Sequence, residues 1–167
     1  MLFQLNSKWF HYARYEILDQ KGEVAYEVQG KFWSLGDNLK LLKPDGTEVG
    51  SIRSNAWCNP FENYRIQLNK KVQATFCRDN KWYRPFEKLK YKLDVSGPDD
   101  YSIIGNFWAN EFEFQRKDRT VATVSRKFFS LTDSYGIDIE KGEDEVAILA
   151  SAIVLSTCRR KRNSGAS

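Results

Sequence analysis

The chain is poor in the residues on which most enzyme and metal sites depend. Histidine occurs once, as His11. That excludes a His-rich zinc site and disfavours a Ser-His or Cys-His triad. His11 stands in the run Trp9-Phe10-His11-Tyr12 and reads as an ordinary strand position. The three cysteines are Cys58, Cys77 and Cys158. Their number is odd and no two have CxxC spacing, so reduced thiols in a cytoplasmic protein are expected. Nothing beside Cys58 or Cys77 in the sequence lowers a thiol pKa, and both read as small wall or core residues. There is no EF-hand loop, no P-loop and no GxSxG. Two acidic clusters remain, Asp99-Asp100 and Glu143-Asp144-Glu145. The first lies in a Gly-Pro turn and the second at a helix start, so turn and cap duty accounts for both. The start, Met1-Leu2-Phe3-Gln4-Leu5-Asn6, lacks the basic region, long apolar core and cleavage site of a signal peptide. No catalytic residue, no metal and no cofactor is expected.

A uniformly basic surface is also missing. The net charge is +4, from 26 basic and 22 acidic residues. Arg159, Arg160, Lys161 and Arg162 carry the whole excess, and the rest of the chain is formally neutral. A basic surface spread over the protein, as for a nucleic-acid partner, is therefore unsupported.

What is present is a repeat. Lys31-Phe32-Trp33-Ser34-Leu35-Gly36-Asp37 resembles Lys127-Phe128-Phe129-Ser130-Leu131-Thr132-Asp133, and Gly105-Asn106-Phe107-Trp108 echoes Gly30-Lys31-Phe32-Trp33. Bulky pairs begin at Trp9, Phe32, Trp57, Trp82, Phe107 and Phe128, in steps of 23, 25, 25, 25 and 21 residues. Each unit has a turn signal near its middle: Gln20-Lys21-Gly22, Pro44-Asp45-Gly46, Asn69-Lys70, Gly97-Pro98-Asp99, Lys117-Asp118 and Lys141-Gly142. Between them, residues alternate with period two. Glu111-Phe112-Glu113-Phe114, Lys88-Leu89-Lys90-Tyr91-Lys92-Leu93 and Tyr64-Arg65-Ile66-Gln67-Leu68 each describe one buried and one wet face. The aromatic share of 14% suits such half-buried strands. Six two-strand units give about twelve antiparallel strands. An open sheet of that width would leave two exposed edges, and closure into a barrel removes both. A propeller needs blades of about 40–50 residues, twice the observed period.

The stretch Val146-Ala147-Ile148-Leu149-Ala150-Ser151-Ala152-Ile153-Val154-Leu155-Ser156-Thr157-Cys158 has no charge on any face. Acids precede it and the basic run follows, the order a helix dipole favours. A helix apolar all round belongs inside protein or lipid. These residues would span about 20 Å against a hydrocarbon core of about 30 Å, so burial inside the fold is expected and a transmembrane span is not. A barrel of about twelve strands has a lumen that side chains alone do not fill, and a helix about 10 Å wide fills it. Any ligand must then bind outside. The expected fold is mainly β: a closed antiparallel barrel of about twelve strands around a buried hydrophobic C-terminal α-helix. One domain spans 1–158, with the helix at about 144–158, and 159–167 form a basic, disordered tail.

Gly30-Lys31-Phe32-Trp33-Ser34-Leu35-Gly36-Asp37, then Leu39-Lys40-Leu41, and Asp45-Gly46-Thr47-Glu48-Val49-Gly50-Ser51-Ile52 resemble the LURP-one-related (YxjI-like) family. That family is grouped with the tubby C-terminal and phospholipid scramblase domains. The resemblance spans essentially the whole chain and implies a twelve-stranded, tubby C-terminal-like barrel around a hydrophobic helix. Tubby domains bind phosphoinositides on a basic outer surface and scramblases act at membranes. Most LURP-one-related proteins have no assigned activity, so the resemblance implies the fold and carries no lipid-binding residue over by position. In scramblases the C-terminal helix leads into a long membrane segment, whereas here it ends in Arg159-Arg160-Lys161-Arg162.

The strongest candidate surface runs from Arg78 to Lys92. It contains Arg78, Lys81, Arg84, Lys88, Lys90 and Lys92, with Trp82, Tyr83 and Phe86 between them. If Leu89 and Leu93 point inward, Lys88, Lys90 and Lys92 project together from the outer wall. Such a patch suits an anionic phospholipid or phosphoinositide head group. A solvated strand face whose lysines suppress aggregation competes with that reading. Stacking of single-stranded bases on the aromatics is the weakest alternative, so nucleic acid is disfavoured. Two functions follow: a binding module for anionic lipid, cytoplasmic and peripheral to the inner membrane face, or a protein-interaction scaffold with no small ligand.

Overall fold

Alternation of side chains makes the strands, and short turns at 19–23, 43–47 and 117–118 join three pairs of them. The computed structural model describes residues 1–8, 13–31, 38–54, 63–68, 72–78, 89–95, 101–106, 111–125 and 134–164. The strands are β1 (Leu2–Lys8), β2 (Ala13–Leu18), β3 (Val24–Lys31), β4 (Asn38–Leu42), β5 (Glu48–Ser54) and β6 (Asn63–Leu68). They continue as β7 (Val72–Arg78), β8 (Leu89–Val95), β9 (Tyr101–Asn106), β10 (Glu111–Arg116), β11 (Arg119–Ser125) and β12 (Ser134–Ile139). One helix follows, α1 (Glu145–Ser164). Each strand pairs antiparallel with its sequence neighbours, and β1 pairs with β12 as well as β2, so the order closes on itself. At that seam Leu2 stands opposite Asp138 and Asn6 opposite Ser134. The Met1 ammonium donates to the Ile139 carbonyl and lies 3.4 Å from an Asp138 carboxylate oxygen.

The inner rows carry the core. Leu39 and Leu41, Ile66, Ile103 and Phe114, and Ile137 and Ile139 are fully buried. Their strand neighbours Lys40, Arg65, Glu113 and Asp138 are exposed. This is the alternation written in the sequence.

Two turns repeat one design. Asp19 N–H donates to Glu23 carbonyl at 2.8 Å and Gly22 N–H to Asp19 carbonyl at 3.0 Å. Lys43 and Thr47, then Gly46 and Lys43, make the same two bonds at 2.9 Å each. Gly22 and Gly46 hold φ of +80° and +81°, a conformation that favours glycine. Asp19 and Asp45 carboxylates accept nearby backbone N–H groups and fix the loops. The β10–β11 turn instead places two non-glycine residues, Lys117 and Asp118, at φ of 49° and 62°. That is the two-residue turn whose twist matches paired strands.

The sixth unit differs from the five before it. Its first half is β12, but its second half is α1, so it is not a strand pair. The twelfth strand is β1, which precedes the first bulky pair. The reason is local. Gly142 reverses the chain at φ +97°. Asp144 then caps the helix, its carboxylate accepting Ala147 N–H at 3.0 Å. Residues 147–155 are each no more than 2% exposed. Every face of this stretch therefore meets protein, and α1 packs against β5, β6 and β12. Its buried hydroxyls are satisfied inside the helix: Ser151 donates to Ala147 carbonyl at 2.7 Å and Thr157 to Ile153 carbonyl at 2.8 Å. Among the described residues no helix is long and apolar enough to cross a membrane.

The helix does not stop near Cys158. It runs to Ser164, so Arg159, Arg160, Lys161 and Arg162 are helical rather than a disordered tail. Arginine and lysine are good helix formers, and cations near a C-terminus oppose the dipole favourably. The six bulky pairs, His11, Cys58 and Asp99-Asp100 lie outside the described residues, as do 165–167.

Candidate functional site

Of the six candidate cations, the described strands contain three. Arg78 ends β7, and Lys90 and Lys92 lie in β8. Lys81, Arg84 and Lys88 lie outside the described residues, with Trp82, Tyr83 and Phe86. Register sorts the three. Lys90 pairs with Ile104 and Lys92 with Ser102, the half-exposed positions of β9. Leu93 and Tyr91 pair with Tyr101 and Ile103, which are buried. Lys90 and Lys92 therefore occupy one row of the ladder, as the alternation requires. Arg78 pairs with Tyr91 and falls in the Ile103 row, apart from that of Lys90 and Lys92. Among the described residues no three of His, Cys, Asp and Glu gather to hold a metal ion.

The structure also brings together a polar cluster that no local motif announces. It sits where α1 enters the barrel. Tyr101, on β9, donates its hydroxyl to Glu143 at 2.9 Å. Arg116, at the end of β10, reaches Glu143 at 3.1 Å and also donates to the Tyr101 hydroxyl. Its guanidinium carbon stands 4.5 Å from the centre of the Tyr101 ring. Arg119 completes the group, 3.4 Å from Glu143 and 3.1 Å from Glu140. On β3, Tyr26 donates to Glu145 at 2.7 Å.

The electrostatics tell what this cluster can do. Burial, then the hydrogen bond to Glu143, pushes the Tyr101 phenol up to about 12. Burial and the bond to Glu145 push Tyr26 up as well. Both phenols are thus held as donors and are unsuited to act as bases or nucleophiles. Glu143 is only 6% exposed and is engaged by two guanidinium groups and a phenol. A carboxylate so occupied has little capacity left for a substrate. The cluster is a clamp that ties the helix start to the wall. Glu143, Asp144 and Glu145 thus divide the expected cap duty: Asp144 caps, and its neighbours reach across to tyrosines remote in sequence.

Comparison with known proteins agrees with this architecture. The chain is 31% identical to the protein YxjI of Bacillus subtilis (strain 168) over 141 residues, covering 84% of this chain and 82% of that one. An X-ray structure of a protein from Arabidopsis thaliana superposes with a TM-score of 0.61 at 16% identity, covering 93% of this chain and 89% of that one. That likeness concerns the fold: mainly β, an antiparallel sheet with one C-terminal helix. The sequence pattern of the LURP-one-related family matches residues 1–156, and the chain belongs to that family.

Proposed function

We propose that this protein is a non-enzymatic binding module that engages anionic phospholipid head groups, phosphoinositides among them, on its outer wall. The observation that carries the reading is the occupied interior. Residues 147–155 are buried on all sides, which leaves the lumen no room for a ligand and directs binding to the outside. The row of Lys90 and Lys92 supports the location, since it aligns with the half-exposed positions of β9. Membership of a family grouped with tubby domains supports the ligand class. The protein would then act at the cytoplasmic membrane face as a peripheral component.

Co-sedimentation with phosphoinositide vesicles tests this. Binding should weaken steeply with salt, because each lysine near an anionic surface contributes about 1 kcal/mol. Replacing Lys88, Lys90 and Lys92 together by Ala should lower affinity by about 100-fold on that basis. An unbound protein at low salt sinks the proposal. Capture of a defined protein partner, with vesicles blank, would favour the scaffold reading instead.

A further inference from the structure

Arg53 on β5 and Arg65 on β6 stand directly opposite each other in the ladder. Both are exposed. Residues so placed have Cβ atoms about 4.5–5.5 Å apart, and like charges there are destabilising. Elsewhere the protein neutralises such charges: Lys40 is held by Glu48 at 2.8 Å, and Arg116 and Arg119 share Glu143. Neither Arg53 nor Arg65 has a hydrogen bond or ion pair among the described residues. Within the strand segments β4, β5, β6 and β7 themselves the only carboxylate is Glu48, which Lys40 already engages.

We propose that Arg53 and Arg65 form a two-pronged site for the phosphomonoester of a membrane lipid head group. The inference rests on the lipid reading above and gives it an anchor on β5 and β6, two strands from β8. Each guanidinium offers a planar fork of donors that matches phosphate oxygens. Two of them side by side match the charge of a phosphomonoester, about −1.5 to −2 at neutral pH. A phosphodiester carries one charge and would leave one arginine uncompensated. The site therefore selects phosphoinositides over phosphatidylserine. The bound dianion would also remove the repulsion that the unliganded wall carries.

The test compares the wild type, the Arg53→Gln/Arg65→Gln double variant and the Lys88/Lys90/Lys92→Ala variant. The probes are phosphatidylcholine vesicles doped with phosphatidylinositol bisphosphate, vesicles doped with phosphatidylserine at equal charge, and soluble inositol trisphosphate followed by calorimetry. The double variant should lose about tenfold or more in affinity for bisphosphate vesicles and for the soluble probe, since two charge-assisted contacts are removed. Binding to phosphatidylserine vesicles should fall by clearly less than binding to bisphosphate vesicles, since a diffuse surface charge makes no paired contact with the two guanidinium forks. Its melting temperature without ligand should equal or exceed that of the wild type, which excludes misfolding as the cause of the loss. Unchanged affinity for both phosphoinositide probes overturns the site. Loss of vesicle binding in the lysine variant alone overturns it too, while leaving the membrane reading intact. Soluble binding that depends on the arginines, with vesicles unbound, supports the site and overturns the membrane reading. Failure of the wild type to bind any probe overturns both.

Discussion

At Gly105 there is room for a hydrogen and nothing larger. A Cβ there would stand 2.0 Å from Cδ1 of Phe112 and 2.8 Å from the Glu111 carbonyl oxygen. Phe112 is its register partner on β10 and lies over the bare backbone. Gly30 repeats the arrangement beneath Leu39, where a Cβ would meet the Asn38 carbonyl oxygen at 2.2 Å. The echo of Gly30-Lys31-Phe32-Trp33 in Gly105-Asn106-Phe107-Trp108 thus has a packing cause. The echo is visible in the sequence, but its cause is not, because it depends on which residue of the next strand arrives opposite. Gly105→Ala should destabilise the protein by about 1–3 kcal/mol through overpacking against backbone that cannot yield. Urea unfolding would show this as a lower midpoint with an unchanged slope.

Among the elements, the helix and its clamp depend on pH. Tyr101 ionises at about 12 in the folded protein, against about 10 when unfolded. The raised value means that the folded state holds its proton more tightly. The stabilisation is complete below pH 10 and is lost as pH rises toward 12. Melting temperature should therefore fall across that window. In Tyr101→Phe it should start lower and fall less steeply there. A wild-type curve flat from pH 10 to 12 would show that the clamp contributes nothing. The strands were readable from alternation, since Tyr64-Arg65-Ile66-Gln67-Leu68 carries its burial pattern openly. The clamp was not, because Tyr26 is 119 residues from Glu145 and Tyr101 is 42 from Glu143. Single tyrosines at such distances leave no local pattern. The helix end is not legible for a related reason: charge marks where burial stops, and the backbone stays helical beyond it to Ser164.

On the scale of the molecule, the interior helix and about twelve strands were legible from a count of units and one apolar run. The seam was not, because β1 stands outside the repeat and its partner is fixed only by closure. Removing residues 1–8 would strip β12 and β2 of their common neighbour and leave two unpaired edges. Such a variant should form aggregates or edge-paired dimers, measured by light scattering, where the intact chain stays monodisperse. Monodisperse behaviour after the deletion would mean that the seam contributes little.

That seam also sets a schedule for synthesis. Met1 meets Asp138 across 137 residues of chain. Strand β1 is therefore made long before its partner β12, and the helix that fills the interior follows later still. At about 5–20 residues per second, the wait is on the order of ten seconds. Throughout it the edge of β1 that faces β12 has no partner and the apolar inner rows lack the helix that covers them, so the nascent chain offers chaperones a long period of engagement.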